Sequence, residues 1–213
     1  MEQVAIIGLG NIGSRLAKNL VAGGVSLIIA DADGDKAKQL ADTLGERVTH
    51  ATLDQAIDRA DIVIFAVWFD VIKRYFETHA AQLAGKIVVD TSNPIAPDNA
   101  GGFKKILPEE QSSGQVLASL LPVGARLVKA FGTLGAASLT SGANRRPTRA
   151  VEFYAADDAA AGDAVAKLID ANGFDALKVG GIDQSIRIEV FGDLHEFGKL
   201  GRLVSADEAA KLI

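Results

Sequence analysis

The chain has 213 residues, of which 48% are hydrophobic and 23% charged, and its formal net charge is −5. This composition is typical of a soluble globular protein, and the lack of a basic block excludes the electrostatic footprint of a nucleic-acid-binding protein. The absence of cysteine excludes disulfides, thiolate nucleophiles and cysteine metal sites. The first apolar run is too short for a signal peptide or a membrane span, so we expect a cytoplasmic protein with no membrane partner.

The first thirty-one residues predict a strand, a helix and a second strand. Residues 3–8 form a short apolar run that is typical of a buried strand, and residues 25–30 form another. Between them, apolar residues recur every four positions, which predicts an amphipathic helix. A G-x-G-x-x-G motif follows the first strand, made by Gly8, Gly10 and Gly13, and an acidic residue, Asp31, follows the second.

The two strands, the helix and the acid favour a dinucleotide-binding site over a glycine-rich turn that binds nothing. Such a turn does not require all four features together. In dinucleotide-binding folds such glycines allow a tight turn, close approach of a pyrophosphate and close packing of the helix on the strand, while the acid binds the ribose 2′-OH. We therefore expect a nicotinamide dinucleotide to contact Gly8, Leu9, Gly10, Asn11, Ile12, Gly13, Asp31 and Ala32.

Strands and helices continue to alternate along the chain. The patterns predict helices over 36–44, 52–59, 68–84, 113–121 and 157–171, and strands over 47–51, 61–67, 86–90, 126–131, 150–155 and 174–179. Residues 90–102 and 132–147 are predicted loops. After residue 182 the pattern is helical but broken by glycines, and Ser205 and Glu208 form a capping box for a last helix.

This alternation predicts an α/β fold with a doubly wound parallel sheet, the Rossmann NAD(P)-binding fold, and a small C-terminal α/β extension. We expect a single domain over 1–213, with a dinucleotide-binding core in 1–131 and the extension in 132–213.

Two further strand ends are candidates for the coenzyme site, because ligands of open parallel sheets bind outside the carboxyl ends of the strands. Ala66 and Val67 are small enough to let a coenzyme pass, and Trp68 and Phe69 could wall its nicotinamide side or instead pack in the core. Asn93 and Pro94 are also expected at the coenzyme site, where Asn93 could hydrogen-bond the nicotinamide carboxamide or its ribose, or act only as a turn former before Pro94.

Several segments of the second half narrow the choice of family. They are DTSNPIAPD, SSGQVLASLLPVGARLVKAFGTLGAASL, AVEFYAADD and LIDANGFDALKVGGIDQSIRIE. With them, nearly the whole chain resembles the NADP oxidoreductases that depend on the deazaflavin coenzyme F420, and the STEAP ferric reductases have a similar K-A-F-x-T run. The first forty residues alone are equally similar to 3-hydroxyacid dehydrogenases and pyrroline-carboxylate reductases.

The resemblance implies hydride transfer between a nicotinamide and a small planar redox partner, a deazaflavin or a flavin, with little acid–base machinery and no certain catalytic residue. It also implies that Phe131, Gly132, Thr133 and Leu134 line the second ring's pocket together with Trp68. Many relatives have Asn at the Gly132 position, and Phe131 could instead be a core aromatic at a strand end.

The chain departs from this family after its second strand. NADP-using members place Ser and Arg there to hold the 2′-phosphate, whereas this chain has Asp31, Ala32 and Asp33. Because a carboxylate accepts a hydrogen bond from the 2′-OH and repels a phosphate, we expect NAD(H) to be preferred. Lys36 or Lys38 could compensate, which leaves NADP(H) open.

Other residues bear on three further questions, namely a metal site, a basic loop and a dimer contact. Asp193 and His195 do not share a helix face, and no H-E-x-x-H motif occurs, so we expect no metal site. Arg145, Arg146 and Arg149 suit a solvated loop or the acidic tail of a deazaflavin. Glycines at 192, 198 and 201 suggest close packing of the C-terminal segment, in a homodimer.

Two other functions remain open at this point. A 3-hydroxyacid dehydrogenase would need a large helical second domain, for which too few residues follow residue 172. An NAD(H)-binding redox sensor without turnover is compatible with the sequence, because hydride transfer leaves no nucleophile or base to find.

Overall fold

The computed structural model describes residues 2–213. Its strands are β1 (Val4–Ile7), β2 (Leu27–Ala30), β3 (Val48–His50), β4 (Ile62–Phe65), β5 (Ile87–Asp90), β6 (Ile95–Pro97), β7 (Phe103–Lys105), β8 (Arg126–Lys129), β9 (Val151–Ala156) and β10 (Asp175–Gly180). Its helices are α1 (Gly13–Ala22), α2 (Gly34–Leu44), α3 (Leu53–Arg59), α4 (Phe69–Thr78), α5 (Ala80–Leu83), α6 (Ser113–Leu120), α7 (Ala136–Ser141), α8 (Ala159–Ala171) and α9 (Ala206–Ala209), with a 3₁₀ helix at Ile182–Ile188.

Eight strands form one sheet in the order β10-β9-β8-β5-β4-β1-β2-β3, and β6 pairs with β7 in a separate hairpin. β1 lies in parallel between β2 and β4, so the strand order reverses direction at this point. This reversal creates a crevice outside the carboxyl ends of β1 and β4, where open α/β sheets bind ligands. The predicted doubly wound α/β fold is confirmed.

Both faces of the sheet are covered, as the continuous apolar strands require. Successive β1 residues alternate between two core clusters, with Ile6 in one and Ile7 in the other. The first cluster contains buried residues of α1, α2 and α8, and the second contains those of α3, α4 and α6. The fold thus holds the ends of β1, β2, β4 and β5 rigidly beside one another.

One strand pairing differs from the all-parallel expectation. β9 runs antiparallel to β8, whereas β10 is parallel to β9. The connection after β8 contains α7, which lies beside α1, where the Asn19 side chain donates to the Leu139 carbonyl.

The structure differs from four of the secondary-structure predictions. The helix expected over 68–84 breaks at His79, which has non-helical dihedrals although no glycine or proline marks the break. The predicted loops contain the β6–β7 hairpin and α7, whose short and polar sequences show no clear period. After the 3₁₀ helix the chain runs in turns up to α9, because glycines interrupt its apolar pattern.

Candidate functional site

A large cavity lies at the carboxyl ends of β1, β2, β4 and β5. Its volume is about 1240 Å³, which exceeds the roughly 300–1,000 Å³ of ordinary small-molecule pockets. The four strand ends meet here, and their lining residues are Gly8, Gly10, Asn11, Ile12, Asp31, Ala32, Ala66, Val67, Trp68, Thr91, Ser92 and Asn93. These residues are far apart in the chain and are brought together by the strand order.

The three motif glycines differ in what they do. Gly8 has φ +91°, and a Cβ there would overlap the Val67 side chain. A Cβ at Gly13 would overlap the Gly8 carbonyl oxygen, so α1 could not pack so closely on β1. A Cβ at Gly10 would meet nothing within 4 Å, and Gly10 lines the cavity. The fold therefore requires Gly8 and Gly13, whereas Gly10 leaves open space for a ligand.

Backbone N–H groups of the glycine loop lie at the same cavity. The N–H groups of Gly10, Asn11 and Ile12 have no hydrogen-bond acceptor within residues 2–213, and α1 begins at the next residue. Free N–H groups and the positive end of a helix dipole favour an anion. This part of the cavity fits a pyrophosphate. Leu9, by contrast, is buried in the core, and its N–H donates to Asp31 rather than into the cavity.

Asp31 is held as a carboxylate at the end of β2. Its Oδ2 accepts from the Leu9 N–H at 2.6 Å and lies 3.4 Å from the Lys36 ammonium, while Oδ1 accepts from the Asp33 N–H at 3.0 Å. Burial acts to raise the pKa of Asp31, but these hydrogen bonds and Lys36 outweigh it and hold the pKa below its usual value. Lys36 is thereby engaged with Asp31, which reduces its capacity to neutralise a 2′-phosphate.

Ala66, Val67 and Trp68 line the cavity after β4. Trp68 precedes the first turn of α4 and is 57% exposed, so the alternative that it packs in the core is wrong. The next residue, Phe69, is the one buried in the core.

Asn93 lines the cavity, and its side chain also forms hydrogen bonds to two distant parts of the backbone. Its Oδ1 accepts from the Val190 N–H at 2.7 Å, and its Nδ2 donates to the Gly132 carbonyl at 3.1 Å. One amide hydrogen remains for a ligand. Pro94 does not line the cavity, and its carbonyl accepts from the Ile106 N–H to hold the β6–β7 hairpin.

The expected lining by the K-A-F-G-T-L segment needs correction. Phe131, with φ +61°, and Thr133 are buried, and neither lines the cavity. The Thr133 hydroxyl donates to the Phe153 carbonyl of β9. Gly132 and Leu134 are the residues that line the cavity, and a Cβ at Gly132 would lie 2.7 Å from the Thr91 carbonyl oxygen. Gly132 thus has no room for the Asn of many relatives.

His195 belongs to the cavity wall, which no spacing in the sequence indicated. Its Nδ1 accepts from the Phe197 N–H at 2.9 Å, so Nε2 carries the hydrogen and donates to the Gly132 carbonyl, also at 2.9 Å. Burial lowers the pKa of His195 to about 4, against the opposing effects of Gly132 and Glu196. The imidazole is therefore neutral near pH 7.

A buried ionic cluster supports the wall from behind. The Lys129 ammonium lies 2.6 Å from Asp90 and 3.5 Å from Glu189, and it also donates to the Ser92 carbonyl. Glu189 accepts from the Ser113 and Gly114 N–H groups at the start of α6. The cluster fixes the end of β5 relative to the segment that carries Val190 and His195. Sequence reasoning missed it because its members lie in four separate elements.

The remaining candidates lie outside the cavity. Arg145 and Arg146 are exposed, whereas Arg149 pairs with Asp170 at 2.6 Å and donates to the Phe174 carbonyl. Residues 2–213 contain no group of three His, Asp or Glu side chains arranged to hold a metal ion. No helix in the described part of the chain is both long and apolar enough to cross a membrane.

Comparisons with known proteins relate the chain to a family of oxidoreductases. Residues 3–94 match the family described as NADP oxidoreductase, coenzyme F420-dependent. Over 187 residues the chain is 30% identical to the metalloreductase STEAP3 of Rattus norvegicus, an alignment that covers 88% of this chain and 36% of that protein. The chain thus spans about a third of the length of this curated relative.

Two solved structures are similar over most of the chain. The hypothetical protein SMa0349 of Sinorhizobium meliloti has a TM-score of 0.84 and 32% identity, with 97% of each chain covered. A candidate F420-dependent NADP reductase of Arthrobacter sp. FB24 has a TM-score of 0.73 and 23% identity, with 87% of each chain covered. The second likeness supports the fold.

Proposed function

The chain belongs to the family of NADP oxidoreductases dependent on coenzyme F420 and is an NAD(P)-dependent oxidoreductase, and from this premise we propose that it transfers hydride between NAD(H) and a planar redox partner. The observation that carries the proposal is the single cavity that joins the glycine loop, Asp31 and the ends of β4 and β5. A bound nicotinamide would supply or accept the hydride, and the protein supplies binding and orientation.

The residues present fit a dinucleotide. Gly10 leaves space that a Cβ would fill, and the N–H groups of Asn11 and Ile12 offer donors for the pyrophosphate. The Asp31 carboxylate offers acceptors for the ribose hydroxyls, and the small side chains of Ala66 and Val67 let the coenzyme cross the sheet edge towards Asn93. In this proposal Trp68 and Leu134 flank the nicotinamide and the second ring.

NAD(H) is the proposed coenzyme even though the family is named for NADP. The Asp31 carboxylate is ionised and already forms an ion pair with Lys36. Neither Ala32 nor Asp33 offers a positive charge. A 2′-phosphate placed beside Asp31 would meet a like charge in a partly buried site, and Lys36 is already paired with that charge. Arg74, which also lines the cavity, is the remaining cation that could favour NADP(H).

Two polar side chains of the wall are already engaged in hydrogen bonds within the protein. His195 is neutral and uses both ring nitrogens within the protein, and Asn93 has one free amide hydrogen. Direct transfer of hydride between two stacked rings needs only orientation and exclusion of water, so a wall whose histidine is neutral and occupied suits a planar partner.

A 3-hydroxyacid dehydrogenase-like reduction is the second enzymatic candidate. The human 3-hydroxyisobutyrate dehydrogenase is 44% identical over 61 residues, which is 29% of this chain and 18% of that protein. This sequence likeness thus covers less than a third of either chain, and a shared fold does not by itself carry over the function.

Anaerobic mixing of the protein with NADH and a panel of acceptors tests the proposal. The panel comprises F420, FMN, riboflavin and ferric chelates, with a 3-oxo acid as the control for the dehydrogenase alternative. We expect oxidation of NADH with at least one planar acceptor and none with the 3-oxo acid. Tight NADH binding without oxidation by any acceptor would instead support a redox sensor.

A homodimer through the C-terminal segment remains part of the proposal. Gly192 and Gly198 approach each other so closely that a Cβ at Gly198 would overlap the Gly192 carbonyl oxygen, so these glycines serve packing within the chain. The dimer therefore needs its own test, for which sedimentation velocity is direct, and a monomer at micromolar concentration would reject it.

A further inference from the structure

Four aromatic side chains surround the mouth of the cavity. Trp68 follows β4, Phe103 lies on β7, and Phe191 and Phe197 belong to the segment after the 3₁₀ helix; all four line the cavity. We call them the aromatic rim. Each is between 49% and 61% exposed, which is unusual for large apolar side chains that have no ligand to cover. A planar apolar ring is the kind of ligand that such a rim can cover.

Charges are distributed unevenly along the cavity. Its basic lining residues, within the described part of the chain, are Lys36 and Arg74. Lys36 contacts Asp31, and Arg74 lies on α4 beside the lining residues Val71 and Tyr75. Lys36 therefore belongs to the end of the cavity at which Asp31 would bind the adenosine ribose, whereas Arg74 lies on the helix that begins directly after Trp68. The aromatic rim contributes no lining cation.

Behind the rim the fixed charges are predominantly negative. Asp90 and Glu189 share the single Lys129 ammonium. Glu196, between His195 and Phe197, accepts from the Gly135 N–H at 2.6 Å and from the Ser138 hydroxyl. The wall behind the rim thus holds three carboxylates and one ammonium, and of these Glu196 contacts Gly135, which lines the cavity. Lys104 and Lys199 are exposed neighbours of the rim but do not line the cavity.

The polar groups at this end are neutral. The Ser92 hydroxyl is buried and has no hydrogen-bond partner within residues 2–213, although Ser92 lines the cavity. Asn93 keeps one amide hydrogen, and the His195 imidazole is uncharged. An unpaired hydroxyl and an amide N–H are suitable donors for a carbonyl oxygen on a ring, whereas neither neutralises a phosphate.

We propose that the second substrate is an uncharged planar acceptor of the quinone class, and that an anionic tail on the ring is a disadvantage in this protein. The inference rests on the proposed function and departs from the tailed deazaflavin that the family name implies. The reaction balances as NADH plus a quinone plus one proton giving NAD⁺ plus a hydroquinone. Hydride passes from the nicotinamide to the quinone, and the proton comes from solvent.

Steady-state kinetics with matched acceptors test the inference. Riboflavin and FMN share one ring and differ by a phosphate, so their kcat/KM ratio isolates the effect of charge. We expect riboflavin to exceed FMN by about tenfold and menadione to exceed both. A ratio near one, or FMN or F420 used as well as menadione, would overturn the inference while leaving hydride transfer established. Oxidation of NADH by none of these acceptors would instead reject the proposed function.

A positive charge introduced at the aromatic rim provides a second test of the inference. Phe103→Arg should lower the riboflavin-to-FMN ratio severalfold by attracting the phosphate, whereas Phe103→Leu should keep the ratio of the unaltered protein. Phe103 is 51% exposed on a hairpin outside the main sheet, so both variants should fold, and NADH binding verifies this. An unchanged ratio in Phe103→Arg would contradict the placement of the acceptor beside the rim.

Discussion

The Nε2 atom of His195 lies 2.9 Å from the carbonyl oxygen of Gly132, and this contact joins the C-terminal segment to the end of β8. The same carbonyl accepts from Asn93, so three distant parts of the chain meet at one oxygen. Because Gly132, Asn93 and His195 all line the cavity, the shape of its wall depends on this junction.

His195→Gln tests the neutral buried imidazole. Burial lowers the pKa of His195 to about 4, from 6.5 in the unfolded chain. As the pH falls from 6.5 to 4 the unfolded chain binds a proton and the folded protein does not, so stability is lost. Glutamine does not titrate, so the unaltered protein should lose up to about 3 kcal/mol relative to the variant over this range. At pH 7 the variant should be less stable by about 1 kcal/mol, because the Phe197 N–H loses its acceptor.

Urea unfolding of the two proteins between pH 4 and pH 7 measures this difference. The two stability curves should cross within the range. A constant difference across it would mean that His195 takes up a proton in the folded protein as readily as in the unfolded chain.

Gly10→Ala and Gly13→Ala form a matched pair that separates binding from folding. A Cβ at Gly10 meets nothing within 4 Å, so this variant should keep its stability but bind NADH at least about tenfold more weakly, since the methyl group occupies the space proposed for the pyrophosphate. A Cβ at Gly13 overlaps the Gly8 carbonyl, so this variant should lose several degrees in Tm. Thermal unfolding and fluorescence titration with NADH measure the two effects, and equal NADH affinity in Gly10→Ala and the unaltered protein would reject the proposed site.

Exchange of Asp31 for Ser together with Ala32 for Arg should move the coenzyme preference towards NADPH. The double change removes a carboxylate that disfavours a 2′-phosphate and adds a cation, and a shift of about a hundredfold in the ratio of the two kcat/KM values is expected. Asp31→Asn is the control, because it removes the charge but keeps an oxygen for the Leu9 N–H. A preference for NADPH in the unaltered protein would contradict the role given to Asp31.

Glu152→Gln should stabilise the fold at neutral and alkaline pH. Glu152 is fully buried on β9, and its contact is to Asn172 at 3.3 Å, while Oε1 and the Asn172 Oδ1 have no partner within the described residues. Burial raises the pKa of Glu152 to about 8, from 4.5, against the smaller opposing effect of Asn172. The folded protein therefore holds a proton that the unfolded chain releases, and stability falls as the pH rises from 4.5 to 8.

The gain of the variant should be near zero at pH 4 and reach at most about 5 kcal/mol at pH 8. Unfolding midpoints in urea across this range measure it, and the exposed Glu110→Gln is the matched control. A gain that does not grow with pH would show that Glu152 is ionised in the fold.

The strongest sequence signals are local and concern the sheet. The apolar run of β1, the glycine motif and Asp31 predict the first β-α-β unit because each meets a steric or hydrogen-bonding requirement within thirty residues. The positions of Gly8 and Gly13 are explained by contacts that the fold itself makes. The break at His79 carries no such signal, and the helix pattern there continues in the sequence.

The second half of the cavity could be predicted less well for a physical reason. The resemblance gave the K-A-F-G-T-L segment as the lining, but the positive φ of Phe131 turns that side chain into the core and leaves Gly132 and Leu134 on the wall. His195, Glu189 and Phe191 reach the site through long-range contacts, which have no periodicity in the sequence.

In the proposed reaction, hydride passes directly from a bound nicotinamide to a ring beside the aromatic rim. Single-turnover mixing of the protein with riboflavin and NADH, unlabelled or deuterated at nicotinamide C4, tests this claim most directly. We predict that the nicotinamide and riboflavin absorbances fall together, and that one of the two deuterated stereoisomers slows both. NADH that binds but stays reduced, or flavin reduction at the same rate with either deuterated form, would contradict the claim.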